Sequence, residues 1–310
     1  MSRLPGVRAA DAALFFTRND PADPRLGERV RDTAYDAAQV VLLGCPQDEG
    51  VRRNGGRAGT AQAPAEIRRW LYRLTTAGLD GIALCDAGDT VPLGTLEETH
   101  SAHEHAVARI LADGKRVVVL GGGNDLSYPD CAALARQAGP VAAFNVDAHL
   151  DVRADRPRNS GTPYRQLIEE KLLEPRRFCE LAIQPQVNSP VYLRWLREQG
   201  GTLVTLDRLR ARGVAAAAGH ALARAADAAS VFWGFDLDAV RASDAPGVSA
   251  PNPLGLTGEE LCELAALAGA EPRTRIVEFT EVNPAFDLDG RTSRLAAVAI
   301  HRFLSALAAA

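Results

Sequence analysis

Eight short apolar runs, separated by longer stretches of helical period, constrain this chain more than any other feature. They fall at residues 40–45, 81–85, 116–120, 141–146, 178–183, 202–206, 231–235 and 275–280. Most show no alternation of apolar and polar positions, as expected for parallel strands covered on both faces. Between them the spacing predicts helices over 63–74, 96–112, 190–199, 219–229 and 257–268. The last opens on a capping box, Thr257 with Glu260 three residues on, and is expected to stop before Gly269. The alternation predicts a three-layer α/β sandwich, a parallel eight-stranded sheet with helices on both faces. No linker or repeat divides the chain, so a single domain over 1–310 is expected, with 1–38 as a peripheral N-terminal segment wrapping the outside.

Composition narrows the function. Thirty-five Lys and Arg stand against 39 Asp and Glu, a net charge of −4, which argues against a nucleic-acid partner that would need a basic face. No apolar run approaches a membrane span, and the N-terminal sequence, with Asp11 where a leader would be greasy, predicts a cytoplasmic protein. The five cysteines include no CxxC pair, so neither a disulfide framework nor a thiolate zinc site is expected. Cys45 and Cys85 read as buried, inert thiols.

In a doubly wound sheet, ligands bind beyond the carboxyl ends of the strands. Gly121-Gly122-Gly123-Asn124-Asp125 follows the third run, and Asp147-Ala148-His149-Leu150-Asp151 the fourth. Asp236-Leu237-Asp238 follows the seventh, and Glu281-Val282-Asn283-Pro284 the eighth. In an extended segment Asp147, His149 and Asp151 share one side, and Asp236 with Asp238 repeats the spacing. Asp residues at strand ends often cap the following helix, but DxHxD together with DxD exceeds what capping requires. Four crowded carboxylates repel unless a cation neutralises them. Oxygen-rich ligands with one imidazole favour Mn²⁺ over Zn²⁺, with Fe²⁺, Co²⁺ or Ni²⁺ also compatible. The triple glycine matches neither a dinucleotide fingerprint nor a P-loop; it lets backbone approach a crowded site. His100, His103 and His105 do not share a helix face, and a solvated face is expected there.

These residues resemble the ureohydrolases, the arginase and agmatinase superfamily. The resemblance runs from Gly44-Cys45-Pro46 through Gly50-Val51, Asn54, Gly55-Gly56-Arg57, Pro64 and Ile67-Arg68 to the EVNP segment. Within the superfamily the chain is most similar to the formimidoylglutamases, through HLDVR (149–153), SGTPYRQL (160–167) and APGVSAP (245–251).

The resemblance implies two Mn²⁺ ions and hydrolysis of an amidine C–N bond, N-formimidoyl-L-glutamate plus water giving L-glutamate and formamide, a step of histidine degradation. It implies one metal on Asn124, Asp147, Asp151 and Asp236, and another on Asp147, His149, Asp236 and Asp238. Asp147 and Asp236 would bridge, Asp151 would orient the attacking hydroxide, and Glu281 would pair with the amidinium. Arg153, Asn159 and Ser160 are the expected substrate-binding residues, Arg153 as a guanidinium fork for a carboxylate. The family usually has His where Asn124 stands, so the metal near Asn124 is expected to be the weaker. Ser160 stands where arginases carry a proton-shuttling His. A homo-oligomer is expected from the family. The alternatives are another guanidino-compound hydrolase (arginase, agmatinase or guanidinobutyrase), a metal-poor homologue without turnover, or a doubly wound regulator using Asp147 as acceptor.

Overall fold

The computed structural model describes residues 4–310. Among the described residues nine strands form one sheet: β1 (Val7–Arg8), β2 (Val40–Gly44), β3 (Leu84–Thr90), β4 (Arg116–Leu120), β5 (Val141–Val146), β6 (Phe178–Ile183), β7 (Thr202–Thr205), β8 (Ser230–Asp236) and β9 (Thr274–Thr280). Their order is β1-β3-β2-β4-β9-β8-β5-β6-β7. Strands β2 to β9 pair in parallel throughout, and β1 adds a two-residue antiparallel edge on β3. The eight expected parallel strands are therefore present. The ninth is too short to leave a pattern, and it comes from the N-terminal segment expected to be peripheral. Residues 1–3 of that segment lie outside the described residues. Its helix Leu26–Asp32 buries Leu26 and Val30 in the core.

Helices cover both faces. Against one pack Ala63–Leu71, Leu206–Arg212, Val214–Arg224, Gly258–Ala270 and Arg291–Ala309. Against the other pack Leu96–Ala112, Ser127–Ala138, Pro163–Glu169 and Pro190–Gln199. On the first face Phe144, Trp233, Phe235 and Phe279 form a stacked row across β5, β8 and β9, with ring centroids 4.6, 6.0 and 5.0 Å apart in turn. Each fully buried aromatic of this kind contributes about 1.5–3 kcal/mol through apolar burial, and the row locks together the strands whose ends carry the polar cluster. Among the described residues no helix is long and apolar enough to cross a membrane.

Four boundaries depart from the pattern, the simplest being the helix expected over 63–74, which stops at Leu71. Strand β3 lies at Leu84–Thr90, not 81–85, because it is polar: Asp86 and Asp89 receive the buried Arg68. The helix expected over 219–229 runs Val214–Arg224, since an alanine-rich stretch carries little phase information. Thr257 and Glu260 do form a capping box, but the helix continues through Gly269 to Ala270. A side chain at Gly269 would meet the backbone carbonyl of Phe303, so glycine serves helix packing there rather than termination.

Candidate metal centre

Strands β4, β9, β8 and β5 are consecutive neighbours at the middle of the sheet. The chain steps from β4 across β9 and β8 to reach β5, which opens a crevice of the kind that receives ligands in this fold class. The four polar segments expected at strand ends follow these four strands.

Asp147 continues the ladder past β5, its N–H donating to Leu181 O at 3.0 Å. Beyond it the segment is not extended, contrary to the spacing argument. The Asp147 carboxylate accepts the His149 N–H at 2.6 Å, and Asp151 turns into the left-handed region at φ 48°. The three side chains converge through this turn rather than through strand periodicity. Glu281 also has a positive φ, 64°. Non-glycine residues held in this region cost free energy and cluster at functional sites.

Two groups of potential ligand atoms result, each within 4.8 Å of one another: Asp147, His149 and Asp238, and Asp147, Asp151 and Asp236. Asp147 belongs to both. Asp236 groups only with the second, while its Oδ1 accepts the Asp238 N–H at 2.8 Å. His149 Nδ1 stands 3.3 Å from Asp238 Oδ1 and 3.4 Å from Asp147 Oδ1.

The electrostatics call for a cation. Burial, then the charge of Asp238, pushes the Asp147 carboxyl up to about 6. Burial likewise raises Asp151 and Asp236 well above the usual carboxylate range. Asp238, before burial is counted against it, draws the His149 imidazole up to about 12. Asp238 Oδ1 is buried with no hydrogen-bond partner among the described residues. Its positively charged neighbour is the His149 ring 3.3 Å away, and a buried carboxylate oxygen that lacks a hydrogen bond is costly. Carboxylates that repel one another, an imidazole and a buried oxygen with no hydrogen bond fit two divalent ions.

Asn124 presents the opposite end from the one expected. Its Oδ1 accepts from Thr280 Oγ1 at 2.8 Å and Ser127 Oγ at 3.2 Å. Its Nδ2 donates to Asp151 Oδ2 at 2.6 Å and reaches Asp147 Oδ2 at 3.5 Å. In this geometry the amide donates hydrogen bonds to the carboxylates, with its oxygen turned toward Thr280 and Ser127. Two hydroxyls hold its oxygen on the far side, leaving three carboxylates facing that metal position.

Glu281 is fixed from two sides. Its Oε1 accepts the Asn124 backbone N–H at 2.7 Å, and its Oε2 accepts from the Ser249 hydroxyl. Burial pushes its carboxyl up to about 8. Ser249 lies within the APGVSAP motif, yet nothing in its spacing marks it as the partner of Glu281. The triple glycine acts as expected: side chains there would meet the backbone of Gln47 and Phe279 and the carboxylate of Asp125.

A cavity of about 220 Å³ opens beside these groups, lined by Asn54, Arg153, Ser160, Ser249 and Glu281 as well as His149, Asp151, Asp236 and Asp238. Among the described residues the Arg153 guanidinium has no hydrogen-bond or ion-pair partner, and its side chain is exposed into the cleft. Ser160 Oγ accepts from Asn54 Nδ2 at 3.0 Å. Asn159, expected to bind substrate, does not line the cavity. It is buried, and its Oδ1 accepts the Gly161 N–H at 2.9 Å to hold the turn. Other arginines nearby are committed: Arg57 to Pro246 O, Val248 O and the Phe286 ring, Arg165 to Glu169 and the Trp195 ring.

The expected solvated histidine face is also corrected. His100 and His103 are buried. His100 Nε2 lies 2.6 Å from Asp125 Oδ2, which Gln47 Nε2 also reaches at 2.7 Å. His103 Nδ1 bonds Thr90 Oγ1 at 2.7 Å, with Nε2 3.1 Å from Asp130 Oδ1 but off the line of a hydrogen bond. Only His105 faces solvent. Buried carboxylates on neighbouring elements, invisible in helix spacing, draw the other two inward. All five cysteines are free, with Cys45 and Cys85 buried as expected.

The arginase-family profile matches residues 38–305. A formimidoylglutamase of Geobacillus thermodenitrificans is 36% identical over 263 residues, covering 83% of this chain and 81% of that protein. One of Halobacterium salinarum is 37% identical over 305 residues, 93% of this chain and 96% of its own. The crystal structure of Trypanosoma cruzi formiminoglutamase with two Mn²⁺ superposes with a TM-score of 0.88 at 36% identity, covering 92% of this chain and 99% of that one.

Proposed function

The chain belongs to the arginase family, and from that membership and the geometry of the cleft we propose that it hydrolyses N-formimidoyl-L-glutamate to L-glutamate and formamide with two manganese ions bound. One observation carries the substrate: the cleft that holds the metal-competent carboxylates and Glu281 also holds an uncommitted guanidinium, that of Arg153. Such a cleft suits a molecule with an amidine at one end and a carboxylate at the other. Agmatine lacks the carboxylate.

Asp147, Asp151 and Asp236 would hold one ion, and Asp147, His149 and Asp238 the other. Bound there, two divalent cations would acidify water so that hydroxide forms near neutral pH, and would stabilise negative charge developing during attack. Asp151 accepts a hydrogen bond from the attacking oxygen and so aims it at the formimidoyl carbon. The Asn124 amide, bonded to Asp151 Oδ2, holds that carboxylate in place. Glu281, clamped by the Asn124 N–H and the Ser249 hydroxyl, pairs with the amidinium and fixes the carbon relative to the oxygen. Arg153 takes a substrate carboxylate. The position near Asn124, facing three carboxylates and no imidazole, is the weaker of the two.

Arg153→Ala is the test. The cost expected for a lost hydrogen bond to a charged group, about 1.5–3 kcal/mol, should appear as weaker binding of formimidoylglutamate. Turnover of an amidine without a carboxylate should be unchanged. If both KM and kcat for formimidoylglutamate stay at wild-type values, the carboxylate is bound elsewhere and the substrate reading loses its support.

A further inference from the structure

Gly161 sits in a tight turn over residues 159–162, closed by Thr162 N–H to Asn159 O at 3.1 Å and by its own N–H to Asn159 Oδ1 at 2.9 Å. Its φ is not in the left-handed region, so the backbone does not call for glycine. The space around it does. A Cβ here would lie 2.9 Å from Arg153 Cδ, 3.1 Å from Arg153 Nε and 3.3 Å from Asn54 Nδ2. All three atoms belong to side chains. The Arg153 N–H also donates to Gly161 O at 2.9 Å, so the stem of Arg153 lies against the bare backbone of Gly161. The neighbouring Ser160 N–H donates to Gly50 O at 3.1 Å and ties this floor to the opposite loop.

We propose that Gly161 is a positioning residue for substrate recognition: the room left by its missing side chain sets where the Arg153 guanidinium stands in the cleft. It thereby selects amidines whose carboxylate lies at the formimidoylglutamate distance from the reacting carbon. This rests on the carboxylate-binding role given to Arg153 above. A methyl group at this position meets side-chain atoms first, the stem of Arg153 above all, so the turn survives while the guanidinium moves. A bidentate fork demands a fixed plane and distance, and a displacement of this size weakens it.

The test is a double-mutant cycle with Gly161→Ala, Arg153→Ala and the pair, all loaded with Mn²⁺. Steady-state kinetics are read on formimidoylglutamate and on N-butylformamidine, an amidine with no carboxylate, and glutamate binding is read by calorimetry. Gly161→Ala should raise KM for formimidoylglutamate about tenfold with kcat within about threefold, an effect on binding rather than on the chemical step. Glutamate affinity should fall by a similar factor, and kcat/KM for butylformamidine should not change. Added to Arg153→Ala, the glycine change should cost less than about twofold, because coupled residues are not additive. Equal losses on both amidines, full additivity with Arg153→Ala, or a wild-type KM in Gly161→Ala would each overturn the proposal. Should Gly161→Ala fail to fold, recovery of folded protein in the double variant supports the contact, and failure of both overturns it. A wild-type protein that does not hydrolyse formimidoylglutamate refutes the substrate reading instead; the cycle on glutamate binding then decides the role of Gly161.

Discussion

At the scale of single residues, Glu281, Asp151 and Asp236 are each held by a hydrogen-bond donor that a metal would not need. Glu281 shows this most plainly, with one oxygen on a backbone N–H and the other on Ser249. Replacing it by Gln keeps the size but turns a charge-assisted contact to the amidinium into a neutral one. We expect kcat/KM to fall by about 10²-fold or more with metal content unchanged, as for other lost electrostatic partners of a transition state. Loss of metal, measured by elemental analysis, would make Glu281 a ligand instead. Asn124 allows a second expectation. Because its NH₂ faces Asp147 and Asp151, Asn124→His should add an imidazole where none coordinates. Mn²⁺ at that position should then bind at least about tenfold tighter, the scale on which groups around a metal's ligands shift affinity. Metal titration followed by anomalous scattering would show it, and unchanged affinity would contradict the assignment. The sequence alone exposes the identity of these residues but not which end of the amide turns inward. That choice is made by Thr280 and Ser127, residues with no motif of their own.

At the scale of elements, what was legible followed from period and what was not followed from tertiary pairing. Parallel strands such as β4 and β5 are apolar on both faces, so their residues announce them; helix Leu96–Ala112 and the capping box at Thr257 are equally plain. Strand β3 is obscured because its Asp86 and Asp89 are spent on Arg68 from the helix Ala63–Leu71. Arg68 is fully buried, forking onto Asp86 at 2.8 and 2.9 Å and reaching Asp89 at 2.6 Å and Gly88 O at 2.7 Å. Tyr72 donates to Asp86 as well. Removing the cation strands two carboxylates, one of them fully buried, so Arg68→Ala should destabilise the protein by about 3–5 kcal/mol. Chemical denaturation would measure this, and a loss below about 1 kcal/mol would mean that water or rearrangement replaces the guanidinium. The buried His100 and His103 belong to the same class of feature: their partners Asp125 and Asp130 come from a different element, so no single-helix pattern could place them.

At the scale of the whole molecule, the order of the strands is what makes the chemistry. Four segments spread from residue 121 to 284 of the chain become neighbours because β4, β9, β8 and β5 lie side by side. The aromatic row through β5, β8 and β9 fixes their relative height. The motifs at the strand ends were readable because ligand chemistry restricts residue type; of the cleft wall Ser160 was expected, but no role for Asn54 or Ser249 was, because those two act through position. This framework serves the proposed hydrolysis of an amidine bearing a carboxylate. It is tested most directly by incubating the Mn²⁺-loaded protein, and the same protein after chelation, with formimidoylglutamate, arginine, agmatine and guanidinobutyrate, and quantifying formamide and urea. Formamide and glutamate should appear in equal amounts from formimidoylglutamate, with little urea from the others, and turnover should be lost on chelation and restored by Mn²⁺. Urea from agmatine or arginine in preference to formamide, or formamide release that survives full removal of metal, would contradict it.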